Sequence, residues 1–154
     1  MGSTDNSSIW QTGTIGNAIT KSEGSLSGST TVIPPNAKTE QIRSLNRENE
    51  SAQILSQSGF YVEQNPYIAG NKNPGYRING EIFDNYAPSS SSVRNIWTEV
   101  KGKIDEGQTS NVVINMSDTK VSFSQLQQQL TKWPIMGMDK LIIIDKSGNA
   151  IRMK

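Results

Sequence analysis

The sequence predicts a mixed α/β domain in which helices flank a mixed β-sheet. Three observations carry that prediction. Apolar residues recur at three- and four-residue steps in three segments, as on the faces of amphipathic helices. Short Val- and Ile-rich runs at 111–116 and 141–144 have the texture of buried strands. An Asn79-Gly80 pair stands between two short strand-like segments, and Asn-Gly favours the positive φ angles of a tight hairpin turn.

Each element follows in order. Residues 1–38 are rich in Ser, Thr, Gly and Asn and end in the stiff Pro34-Pro35 pair, which reads as a linker or tail. The competing reading is a small docking module held by Ile9, Trp10, Ile15, Ile19 and Leu26. Thr39 is suited to cap a helix over 39–58, whose apolar side carries Ile42, Leu45, Ala52, Ile54 and Leu55 until Gly59 stops it. Residues 60–63 read as a short strand, 66–74 as an irregular loop and 76–84 as the hairpin. Pro88 and four serines lead into a second helix over 93–105, with Ile96, Val100 and Ile104 on one face and Gly107 past its end. After the strand at 111–116 comes a glutamine-rich helix over 122–132, with Phe123, Leu126 and Leu130 inward and Pro134 as its break. The strand at 141–145 turns at Ser147-Gly148-Asn149 into a returning strand at 150–153. A crossover helix between strands implies parallel neighbours, so residues 39–154 form one mixed α/β domain.

Composition narrows the chemistry. The 154 residues allow one core plus a tail, and with 33% hydrophobic and 19% charged residues part of the chain packs little apolar surface. Absence of cysteine excludes disulfides, thiolate nucleophiles and Cys-ligated zinc. Absence of histidine excludes Ser-His-Asp triads, histidine bases and His-ligated metals. Catalysis is left to carboxylates, Lys, Arg, Tyr or an oxygen-ligated metal such as Mg²⁺. The longest apolar run is too short to span a bilayer and the amino end lacks a signal pattern, so no membrane association of this domain is expected. A net charge of +1 gives no bulk attraction for nucleic acid, so a polyanion partner needs a local basic patch. The opening Met1-Gly2-Ser3 is expected to be an introduced start, which makes the natural protein longer.

One candidate site comes from strand and helix geometry. Asp84 and Tyr86 alternate onto the same face of a strand, where a half-buried carboxylate needs a cation, a metal or a raised pKa. The alternative is that Asp84 caps the strand end. The helix that follows offers Arg94, Lys101 or Lys103 to the same crevice, with a solvated Glu99-Lys103 pair as the competing account of Lys103. Glu48 and Glu50 on the first helix are either solvent-facing charges or a third acidic group at that crevice. No phosphate-loop or dinucleotide glycine motif is present, and the glycines at 13–16 and 24–28 read as linker composition. The Trp133-Pro134-Ile135-Met136-Gly137-Met138 stretch packs under the last strand or forms an apolar partner-binding loop.

The segments Arg47-Glu48-Asn49-Glu50-Ser51-Ala52, Val62-Glu63-Gln64-Asn65-Pro66, Asn73-Pro74-Gly75-Tyr76, Ile78-Asn79-Gly80-Glu81-Ile82-Phe83-Asp84-Asn85-Tyr86-Ala87-Pro88, Arg94-Asn95-Ile96-Trp97 and Lys103-Ile104 resemble the C-terminal tRNase domain of CdiA proteins. These are toxins of bacterial contact-dependent growth inhibition. The resemblance runs from about residue 40 to 154 and makes 1–38 the end of the region that joins the toxin to its stalk and guides its passage into the target cell. It implies a secreted, surface-displayed exoprotein whose toxin domain cleaves tRNA in the target-cell cytoplasm until a cognate immunity protein blocks it. The derived element order also fits the αβββαβ core of PD-(D/E)xK nucleases, with a barnase-like or EndoU-like fold as the alternative.

Carried onto this chain, the PD-(D/E)xK pattern makes Asp84 the second carboxylate and Glu50 the helix acid, together holding a Mg²⁺. The chain departs from that pattern at Pro74-Gly75, where Pro-Asp would stand, and at Tyr86, where Lys would follow; the lysine role passes to Lys101 or Lys103. In a metal-free variant, a carboxylate or Tyr86 moves the proton of a ribose 2′-OH. Arg94 is expected to clamp a phosphate, with Trp97 beside it on the substrate. The low net charge points to help in substrate delivery, for which elongation factor Tu is the expected partner. The other function classes left open are a non-catalytic binding domain of a secreted surface protein and a DNase of the same fold.

Overall fold

The first helix, α1, runs Thr39–Ser56 and turns Ala52 and Leu55, both fully buried, toward the sheet. Its N-cap is Lys38, without a side-chain capping bond, so Thr39 is the first helical residue and not the cap. The computed structural model describes residues 15–69, 74–107 and 109–154; Ile9, Trp10 and Asn73 lie outside them.

Seven strands form one mixed sheet in sequential order: β1 (Ser25–Gly28), β2 (Tyr61–Gln64), β3 (Tyr76–Ile78), β4 (Glu81–Tyr86), β5 (Asn111–Asn115), β6 (Lys140–Ile144) and β7 (Ala150–Arg152). The β3–β4 hairpin turns where expected, with Asn79 at φ 49° and Gly80 at φ 86°. The strands β4, β5 and β6 are mutually parallel. Their crossovers are α2 (Val93–Asp105) and α3 (Phe123–Lys132). Both begin on serine caps: Ser92 accepts the Asn95 amide, and Ser122 and Gln125 form a reciprocal capping box.

The sheet is covered on both faces. One apolar cluster joins Ile96, Val100, Leu126, Val112, Ile114 and Leu141, placing α2 and α3 on one side. The other joins Ala52, Leu55, Phe60, Tyr76, Phe83 and Val113, placing α1 on the opposite side. Every residue of β5 is buried because side chains alternate into the two layers. In the Trp133–Met138 loop, Ile135 and Met138 are core residues, whereas Trp133 and Met136 are exposed.

Sequence composition makes 1–38 a linker, yet its described part, 15–38, is bound to the fold. Residues 16–19 pair with β7 through Gly16 N–H to the Arg152 carbonyl (2.9 Å) and Ile19 N–H to the Ala150 carbonyl (2.7 Å). The chain then bridges Ser58 at Ser22 and enters the sheet as β1, parallel to β2. Gly24 and Gly28 are required by this close approach, since a Cβ at either would lie 2.0 Å from the Phe60 carbonyl or 2.1 Å from that of Gln64. The strap therefore touches both edges of the β2–β7 sheet, and Gly24 and Gly28, which read as linker composition in the sequence, are sites of backbone contact.

Candidate active site

Asp84 sits half-buried in β4, and its carboxyl accepts a hydrogen bond from the Gly75 backbone N–H. Burial pushes its pKa up, with the positive charge of Lys103 opposing the shift. Across from it on α1 is Glu48, whose pKa is also raised, first by burial and further by the charge of Asp84. The charge of Asp84 thus reaches a carboxyl of another element, Glu48, across a partly dry pocket. Gly75, fully enclosed, lies between them: a Cβ built there would stand 3.7 Å from Glu48 Oε1 and 3.8 Å from the Asn85 nitrogen, an ordinary contact.

Lys103 reaches this site from α2, with its Nζ 5.6 Å from the centre of the Tyr86 ring. Burial pushes the Tyr86 hydroxyl up to about 12, so at neutral pH it remains a phenol that can donate a proton but is not a phenolate base. Beneath the carboxyls lies Tyr76, fully buried, its hydroxyl donating to the Glu48 carbonyl and so fixing the turn of α1 that presents the acid. A cleft of about 300 Å³ opens on the other side of Tyr86, between Arg43, Ser90, Asn95 and Glu99.

The remaining expected site residues lie elsewhere. Glu50 faces away from Asp84: it accepts from Arg47 at 2.7 Å, from Asn115 at 3.1 Å and from Ser117 at 3.4 Å. The expected Asp84–Glu50 pair is therefore replaced by Asp84–Glu48. Residues 94, 97 and 101 share one flank of α2 while 99, 103 and 106 share the other, so Lys103 alone of the three cations enters the Asp84 crevice. Lys101 pairs with Asp105 in the next turn of the helix. Arg94 lies over the Trp133 ring at 4.2 Å, and the Trp97 indole N–H donates to the Trp133 carbonyl at 2.7 Å. These three groups tie α2 to the end of α3.

Glu48 had a signal that periodicity makes visible. Leu45, Glu48, Ala52 and Leu55 follow a three-four-three spacing, so a carboxylate interrupts the apolar stripe of α1. A charge on that stripe must meet a partner inside the fold.

Chemically, two carboxyls and a lysine can hold a hard cation, move protons and neutralise a phosphate. Among the described residues no group of three or more acidic ligands is present. Two carboxylates nevertheless suit Mg²⁺, which keeps several waters and takes one or two protein carboxylates together with substrate phosphate. Burial raises the pKa of both carboxyls, and on Glu48 the charge of Asp84 adds to it, a burden that a bound cation would offset.

Comparison with known proteins gives three matches. The family model described as contact-dependent growth inhibition CdiA C-terminal domain matches residues 72–150. A protein of Burkholderia pseudomallei strain 1026b named tRNA nuclease CdiA-2 is 48% identical over 131 residues, which span 85% of this chain but 4% of that much longer relative. A solved chain from the CdiA-CT/CdiI toxin and immunity complex of Burkholderia pseudomallei superposes with a TM-score of 0.82 at 48% identity, covering 85% of this chain and 99% of the other.

Proposed function

Because the chain belongs to the CdiA C-terminal domain family of contact-dependent growth inhibition, we propose that it is a toxin domain that cleaves tRNA in the cytoplasm of a target bacterium. In this reading it is carried there by a large surface exoprotein and neutralised by a cognate immunity protein. The name of the Burkholderia relative and the toxin and immunity complex of the solved neighbour support the reading. The observation that carries it is the meeting of Glu48, Asp84 and Lys103 in one crevice. We read α1-β2-β3-β4-α2-β5 as an αβββαβ nuclease core of the PD-(D/E)xK kind, with the lysine supplied by α2 and Gly75 in the place of the first acid.

Glu48 and Asp84 are the residues that would hold Mg²⁺, which when bound polarises the phosphate and lowers the pKa of a water. Lys103 balances the charge of Asp84 and stabilises the negative charge that grows on the phosphate oxygens during cleavage. Tyr86, as a phenol, is placed to donate a hydrogen bond or a proton to the substrate. The cleft beyond Tyr86 offers room for the nucleotide next to the scissile bond.

The test incubates the purified chain with total bacterial RNA, with Mg²⁺ or EDTA, and with or without cytosolic extract or elongation factor Tu. Discrete tRNA fragments on a denaturing gel are expected, lost by at least about 100-fold in Glu48→Gln, Asp84→Ala and Lys103→Met and retained in Glu50→Gln. Intact tRNA under every condition overturns the nuclease reading in favour of a non-catalytic binding domain, and nicked plasmid with intact tRNA would make the domain a DNase.

A further inference from the structure

The strap that leads into α1 ends on the candidate site. Thr31 donates its hydroxyl hydrogen to Glu48 Oε2. The same hydroxyl accepts from Gln64 Nε2 at 3.2 Å and from Asn65 Nδ2 at 2.9 Å, which uses its full capacity of one donor and two acceptor positions. Its backbone is held equally firmly: Asn49 accepts the Thr31 N–H at 2.9 Å and donates to the Thr31 carbonyl at 3.1 Å. Gln64 also donates to Asn49 at 2.5 Å and Asn65 to the Ser29 carbonyl at 2.7 Å, so four polar side chains converge on one threonine. A solvated tail residue has no use for such a setting. Its single free donor points at a carboxyl of the crevice.

We propose that Thr31 is a positioning residue of the nuclease site, fixing the rotamer of Glu48, so that the site is completed by the strap and not by the 39–154 core alone. The proposal rests on the nuclease reading for its kinetic consequence and on geometry alone for its structural one. Orientation of an acidic group by a neutral donor is the role that outer-shell partners fill around catalytic carboxylates. The hydroxyl suits it because it adds no charge to a crevice already balanced by Lys103.

The full chain carrying Thr31→Val, which keeps the shape and loses the donor, is compared with Thr31→Ser. In tRNA cleavage, Thr31→Val is expected to lower kcat by about 10–100-fold at unchanged KM, and Thr31→Ser to restore it to within about threefold. Independently of turnover, the Glu48 carboxyl resonance in protein labelled with ¹³C at glutamate side chains shifts in Thr31→Val and stays in Thr31→Ser. If Thr31→Val does not fold, Thr31→Ala replaces it, with the same loss of kcat and the same shift of the Glu48 resonance expected, because it too removes the hydroxyl donor. A Glu48 resonance unmoved by loss of the hydroxyl overturns the proposal, as does an unchanged kcat. A wild-type chain that cleaves no RNA overturns the nuclease reading instead, while the resonance still decides the role of Thr31.

Discussion

At the scale of single residues, the crevice is built against its own stability. Glu48 and Asp84 both have pKa values raised by burial, so the folded state keeps protons that the unfolded chain releases. Their contribution is therefore most favourable below about pH 4 and is lost as pH rises through the raised values. Asp118, held below the usual carboxylate range by hydrogen bonds from Arg47 and then Arg43, has the opposite sign: its contribution is present above that range and is lost on acidification. In EDTA, Asp84→Asn should raise the melting temperature at pH 7 by about 3 °C and flatten its fall between pH 4 and 7 while abolishing cleavage; a scan across that range checks it. Gly75→Asp fits the space beside Glu48 and should tighten Mg²⁺ binding by about tenfold, read by calorimetry. That Asp84 shares a candidate crevice with a cation of the next helix was legible from strand alternation and helix position, although Arg94 and Lys101 were as open to that place as Lys103. Choosing Glu48 over Glu50 needed the rotation of α1 about its axis, which the apolar stripe encodes and a motif alone does not.

At the scale of elements, α1 is fastened by its charged side as well as its apolar one. Arg43 and Arg47 both donate to Asp118, at 2.7 Å and 2.9 Å, and thereby pin the helix to the loop after β5. Asp118→Ala removes the partner that the two guanidiniums share, leaving Arg43 to Glu40 and the Ala87 carbonyl and Arg47 to Glu50, and should cost about 1 kcal/mol in urea unfolding. Ile114→Ala, in a strand buried on both faces, should cost about 2–5 kcal/mol by the same measurement. The helices, the hairpin and the parallel strands were readable because each is encoded by local periodicity or turn chemistry. β1 was not: Ser25-Leu26-Ser27-Gly28 is exposed throughout and has no apolar face to betray it. It is a strand because β2 offers an open edge and because glycine alone allows the approach.

At the scale of the whole molecule, one continuous segment covers two sheet edges. Unpaired edges invite pairing with other chains. Removal of residues 15–28 from the full chain should therefore expose β2 and β7 and increase self-association over that of the intact chain, as light scattering would register. Such long-range pairing is invisible to sequence reading because partners at 16–19 and 150–152 have no pattern in common. The arrangement also has a mechanical meaning. Tension applied at the amino end meets the bonds of Gly16, Ile19, Ser22 and Gly24 one after another, not side by side. Each must yield singly, as in a zip, and Thr31 is unseated from Glu48 before the load reaches α1. The strap thus behaves as a fuse. A chain drawn out by that end gives up the strap, and with it the hold on Glu48, before the elements that carry the crevice.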